Sequence, residues 1–191
     1  MKILLIPVLL LSIASVQMVQ ASNVTTYNVE AVLYEPMTEL DGGNTVFKGS
    51  FQWDAATSSI LNLTGWMNSS MVGTTPPGSW NPTINLTHQL GGTRIDGGSR
   101  LATVFLNNST DVFQQGGYAT SGGTLTNGSK NAFFTIAVNP LDPTNVTASN
   151  LSKIVYADCT PQGLMGPVCM TGEAAEGTMG ATPLSLKITA K

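Results

Sequence analysis

Residues 46–67 read VFKGSFQWDAATSSILNLTGWM, and this stretch decides the fold class. From Val46 to Trp53 the side chains alternate, with Phe47, Phe51 and Trp53 on one face and Lys48, Ser50 and Gln52 on the other, the period-2 signature of a half-buried strand. The next residues, Asp54-Ala55-Ala56-Thr57-Ser58, turn the chain, and the Asp54 carboxylate is placed to accept a hydrogen bond from the backbone two residues on. The segment Ile60 to Met67 then returns as the partner strand of a hairpin.

Working outward, Val24 to Tyr34 alternates in the same way and predicts a strand before the hairpin. After it, Thr83 to Leu90, Arg100 to Leu106, Ala132 to Val138 and Leu184 to Thr189 read as further strands, separated by glycine pairs at 91–92, 97–98, 116–117 and 122–123. One short helix is expected after Asp142-Pro143, capped by Thr147 or Ser149 and placing Leu151, Ile154 and Val155 on one side. Residues 68–82, carrying Pro76-Pro77-Gly78 and Trp80, predict a long irregular loop of the kind that often carries function. The polar residues are mostly Asn, Ser, Thr and Gly, a mixture poor in helix formers. The fold class expected is therefore all-β, an antiparallel β-sandwich or jelly-roll-like barrel with one short helix.

The N-terminus carries a secretory signal: Lys2 is a short positive region, Ile3 to Ile13 an apolar stretch, and Val19-Gln20-Ala21 a small-residue exit. Residues 1–21 are expected to be removed, leaving 22–191 as one secreted β domain without a membrane span. The C-terminal segment alternates and carries charge, unlike the apolar tail of a lipid-anchor signal. Formal charge is −3 for the 191 residues, and loss of Lys2 makes it −4. The charges are scattered, so no basic stripe suits nucleic acid.

Nine asparagines stand in N-x-S/T context: Asn23, Asn62, Asn68, Asn85, Asn107, Asn108, Asn127, Asn145 and Asn150. With 14 Asn, and Ser plus Thr at 40 of the 191 positions, chance placement yields roughly three. The excess predicts an N-glycosylated extracellular protein. It also labels faces, since a glycan cannot enter a packed core: Asn62 turned outward puts Leu61, Leu63 and Met67 inward and Trp66 outward. Asn85 turned outward puts Ile84, Leu86, His88 and Leu90 inward, His88 being read as a hydrogen-bonded core histidine.

Cys159 and Cys169, the only cysteines, have nine residues between them and predict a local disulfide in an oxidising compartment, worth roughly 2–3 kcal/mol. No ligand spacing supports zinc. The methionines Met165, Met170 and Met179 suit Cu(I) only weakly without histidine companions and are read as packing. No metal or cofactor is expected.

Catalysis has little support. His88 is the single histidine, and no G-x-S-x-G elbow presents a serine. The carboxylates Glu35, Glu39, Asp41, Asp54, Asp96, Asp111, Asp142, Asp158, Glu173 and Glu176 mostly neighbour turn residues, though a glycosidase needs only two of them at the right separation. Trp66 and Trp80 are the candidate ligand-binding residues, because exposed indoles stack on the apolar faces of sugar rings, whereas Trp53 is assigned to the core.

The segment Tyr156-Ala157-Asp158-Cys159-Thr160, with Gly163-Leu164-Met165-Gly166 and Cys169-Met170-Thr171-Gly172, resembles small secreted glycoproteins of filamentous fungi that have no assigned activity. The hairpin pattern Phe51-x-Trp53-Asp54-x-x-Thr57-x-x-Ile60 is similar to one common in bacterial secreted β-sandwich proteins. Both resemblances imply a secreted β domain and carry no catalytic residue across. The leading expectation is an extracellular protein acting by binding or structure. A module for an extracellular glycan or cell-wall component, and a small carboxylate-dependent hydrolase or isomerase, are the alternatives.

Overall fold

In the computed structural model, which describes residues 23–34, 44–68, 70, 82–106, 131–163, 166–172 and 182–191, Val24–Tyr34 (β1) and Asn44–Asp54 (β2) pair antiparallel from Val24 opposite Asp54 to Tyr34 opposite Asn44. Ser59–Met67 (β3) returns along β2 as the alternation predicts, and Ile84–Leu86 (β4) pairs with the end of β3. Thr182–Ala190 (β11) closes the other side against β1, so one sheet runs β11-β1-β2-β3-β4.

The second sheet contains His88–Gln89 (β5), Arg94–Asp96 (β6), Ser99–Phe105 (β7), Asn131–Val138 (β8), Val155–Gly163 (β9) and Gly166–Gly172 (β10). Its order is β10-β9-β8-β7-β5, with β6 also paired to β7. All pairings are antiparallel, and the two sheets pack face to face as a β-sandwich.

The core between the sheets takes the inward sets of both: Val29, Ala31, Leu33, Phe47, Phe51, Trp53, Leu63 and Met67 from one, Ala102, Val104, Phe134, Ile136, Val138 and Tyr156 from the other. Phe47 and Phe134 stack across the interface, ring centres 4.3 Å apart and 6° from parallel. The Phe47 ring lies over two glycines: a Cβ on Gly65 would stand 2.6 Å from it, and a Cβ on Gly49 would meet the Thr64 carbonyl. Those two positions have to be glycine for the ring to lie flat between strands. The strands β7 and β8 are buried on both faces, which explains their near-continuous apolar sequence. Phe105, Phe133, Val155 and Ala157 form a second cluster on the far face.

Five expectations are corrected. Leu61 is 38% exposed, because a bulge sets Asn62 and Leu63 of β3 against Phe51 alone. Asn62 takes φ +52° there, a left-handed conformation that Asn tolerates, and the extra residue shifts the alternation upstream by one. Residues 83–90 form two short strands in different sheets, the chain bending at Thr87. His88 is consequently half-buried, its Nδ1 lying 3.2 Å from the Leu106 carbonyl and 3.1 Å from Thr87 Oγ1.

The helix is a single turn, Ala148–Leu151 (α1), capped by Thr147; Ile154 and Val155 leave it and lead into β9. Residues 159–169, read as a disulfide-closed loop, are largely the strands β9 and β10. The predicted signal peptide and most of the 68–82 loop lie outside the described residues. Among the described residues no helix is long and apolar enough to cross a membrane.

Candidate functional site

The outer face of the five-stranded sheet is polar by the alternation that fills the core: each inward residue of β1, β2, β3 and β11 is followed by an outward one. Register turns these separate outward residues into rows. Lys187 stands opposite Glu30, Glu30 opposite Lys48, Lys48 opposite Trp66 and Trp66 opposite Asn85. One lateral line thus crosses all five strands. Two residues along, Thr189, Asn28, Ser50 and Thr64 form a parallel line of small polar side chains.

Between the lines lie two shallow depressions of about 300 and 340 Å³, sharing Asn28, Lys48 and Gly49. The first is completed by Val29, Glu30, Lys187 and Thr189. Ser50, Thr64, Gly65 and Trp66 complete the second. Trp66 is 39% exposed and forms the aromatic wall. Lys48 and Glu30 make an ion pair at 3.2 Å with both side chains about half exposed, a contact that orients the two groups more than it stabilises the fold. The face therefore offers an indole, a polarised ion pair and a row of hydroxyl and amide groups, which together suit a neutral polyhydroxylated ligand.

Of the predicted site residues, Trp66 joins this face, Trp53 is 4% exposed in the core, and Trp80 lies outside the described residues. The outward places of Lys48 and Ser50 follow from the alternation; their lateral partners were missed, because alternation assigns a face without saying which strand lies beside which. Cys159 and Cys169 are directly opposed register partners in β9 and β10.

The sequon asparagines separate by environment. Asn23, Asn62, Asn85 and Asn145 are exposed. Asn62 Nδ2 donates to Gln52 Oε1 at 2.7 Å. Asn68 is half-buried, its Oδ1 accepting from the Val46 N–H and extending the β2–β3 ladder. Asn107, Asn108 and Asn127 lie outside the described residues.

Asn150 is the correction. It is 2% exposed, and its Oδ1 accepts from Thr147 N and Oγ1 while Nδ2 donates to buried Ser99 Oγ at 3.0 Å. The nitrogen that would carry a glycan is committed to the core, so this packing excludes one.

The described carboxylates are dispersed. Asp54 and Asp142 close turns on Thr57 and Thr144, Asp96 approaches Lys153, and Asp158 is buried. Among the described residues Glu30 is the one carboxylate at these depressions, and it lines the first of them. In comparison with known proteins, no family model, no curated protein and no solved structure matches this chain.

Proposed function

We propose that the chain is a secreted glycoprotein that acts extracellularly by binding, and that it takes an extracellular saccharide on the outer face of its five-stranded sheet. The observation that carries this reading is the exposed indole of Trp66 set in a row with Lys48 and Glu30 and flanked by a line of small polar residues over two open depressions. Sugar rings present apolar C–H faces to stack and hydroxyls to hydrogen-bond, and this surface supplies both partners. Binding is favoured over hydrolysis because one carboxylate lines the depressions, whereas glycoside hydrolysis uses two.

The N-terminal signal pattern and the four exposed sequons support the secretory route. A disulfide between Cys159 and Cys169 belongs to the same proposal: directly opposed antiparallel residues have Cα separations of about 4.5–5.5 Å, inside the range a disulfide spans.

The test is retention of the secreted protein on insoluble polysaccharides, with chitin, β-glucan, cellulose, mannan and pectin as the panel. Binding to at least one is expected, weakened roughly tenfold in Trp66→Ala, the upper end of what one aromatic stack supplies. No retention on any of them, or retention unchanged in Trp66→Ala, overturns the saccharide reading. Intact mass with and without reductant reads the disulfide in the same preparation, and two freely alkylated thiols in native protein would remove it.

A further inference from the structure

Trp66 and Asn85 are directly opposed across β3 and β4, both on the solvent face. We propose that Asn85 carries an N-linked glycan whose first sugar packs on the indole of Trp66, so that the protein covers its own exposed aromatic with a covalently attached ligand.

Three observations converge on this pair. Asn85 heads Asn85-Leu86-Thr87, a complete acceptor sequence, and its side chain is exposed while Ile84 and Leu86 on either side are buried. The strand β4 is the last in its sheet among the described residues, so the exposed Asn85 has β3 on one side and no further described strand on the other. Opposed antiparallel residues hold their Cβ atoms about 4.5–5.5 Å apart, which is the reach of one asparagine side chain and one sugar ring. The first N-acetylglucosamine is fixed to Nδ2 through a planar amide and therefore cannot range far from its neighbour. Its apolar C–H face meets the negative face of the indole ring.

Asn85 is distinguished from the other exposed sequons by this partner. Asn23 precedes β1, Asn145 lies in the loop before α1, and Asn62 faces Gln52. None of those three has an exposed aromatic opposite it: Phe51, against which the bulge sets Asn62, is buried in the core, and Asn23 and Asn145 have no partner in the sheet register. The inference stands without the polysaccharide reading but bears on it. A bound sugar from outside needs the bare indole, so the same face has a built-in competitor, and loss of the Asn85 glycan is expected to strengthen retention on any polysaccharide the protein binds.

The test needs no added ligand. The full chain is secreted from a eukaryotic host, and the reactivity of each tryptophan toward an oxidant is read by peptide mass spectrometry. Four samples are compared: the glycoprotein, the glycoprotein trimmed to a single N-acetylglucosamine, and the variants Asn85→Gln and Thr87→Ala, each of which removes the acceptor. Trp66 is expected to be protected in the first two and about fivefold more reactive in the variants, the factor to which a stacking contact of about 1 kcal/mol converts. Asn62→Gln should leave Trp66 protected.

Buried Trp53 reports folding. If both variants expose it, wild-type glycoprotein stripped enzymatically in its folded state decides the matter by the same rise at Trp66. An unmodified Asn85 in the secreted protein, or equal reactivity of Trp66 with and without the glycan, overturns the proposal. A failed polysaccharide pull-down leaves this footprint unaffected, so the two readings fail separately.

Discussion

Asn150 shows how one side chain can satisfy a helix terminus and a sheet at once. Its Oδ1 holds Thr147, its backbone N–H donates the return bond to Thr147 Oγ1, and its Nδ2 reaches Ser99 at the start of β7. Replacing it with Ala removes the side-chain half of the capping box and leaves Ser99 Oγ without that donor, a loss of about 1–3 kcal/mol to be read from denaturant midpoints. Peptide mapping of the secreted protein should find Asn150 unmodified, in contrast to Asn85. Asp54 and Asp142 act at the same scale. Each accepts a threonine hydroxyl first and a backbone N–H second, and these bonds hold both carboxyls below the usual range. A lowered folded pKa means that the contribution to stability is complete above the unfolded value and is lost as pH falls through the folded one. The thermal midpoint of the wild type should therefore fall below about pH 3.9, the unperturbed Asp value. Asp54→Asn with Asp142→Asn keeps an acceptor without the titration and should flatten that part of the curve. An unchanged slope would remove these two turns from the acid response.

Among the elements, β3 depends most on groups outside its own ladder. The strand β4 covers only Gly65 to Met67, and among the described residues no strand pairs with the earlier part of that edge of β3. Side chains from the β5–β6 region take its place. Gln89 Oε1 accepts from Leu63 N–H at 2.7 Å and Gln89 Nε2 donates to the Ile60 carbonyl at 2.8 Å, while Thr93 Oγ1 accepts from Ile60 N–H at 2.7 Å. Gln89 thus reproduces in one amide the donor and acceptor of a missing strand residue, and it ties the two sheets together where the chain bends at Thr87. Gln89→Ala leaves the half-buried Leu63 N–H without its acceptor, while the Ile60 carbonyl keeps Thr93 Oγ1 at 3.2 Å, at a cost of about 1–3 kcal/mol. Amide hydrogen exchange is the direct measurement. Leu63 N–H should exchange faster in the variant while Phe51 N–H, on β2, keeps its protection.

At the scale of the whole molecule the two sheets have different tasks. The six-stranded sheet buries both faces of β7 and β8, and Thr103 and Thr135, opposed in register, satisfy each other at 2.8 Å within that burial. The five-stranded sheet gives one face to the core and leaves the other in water, so its outward rows are available for recognition. The polysaccharide-retention test and the Trp66 footprint both address that face, from outside and from within the protein. A ligand lying across the strands would meet Lys187, Glu30, Lys48 and Trp66 in order. A glycan on Asn85, at the β4 end of the same line, would bound it on one side.

What the sequence determined by itself is local. Alternation over Val24–Tyr34 and Val46–Trp53 assigned strands and faces correctly, since successive side chains in a strand point to opposite sides whatever lies next to them. The Asp54 turn and the Thr147 cap were legible because each closes within three residues. The tertiary structure decided everything that joins distant segments: the bulge that turned Leu61 outward, the bend that divided residues 83–90 between two sheets, the burial of Asn150, and the line from Lys187 to Asn85. Such features depend on register and sheet order, which are set by long-range packing. A period-2 pattern names the face of each strand and leaves its neighbour open.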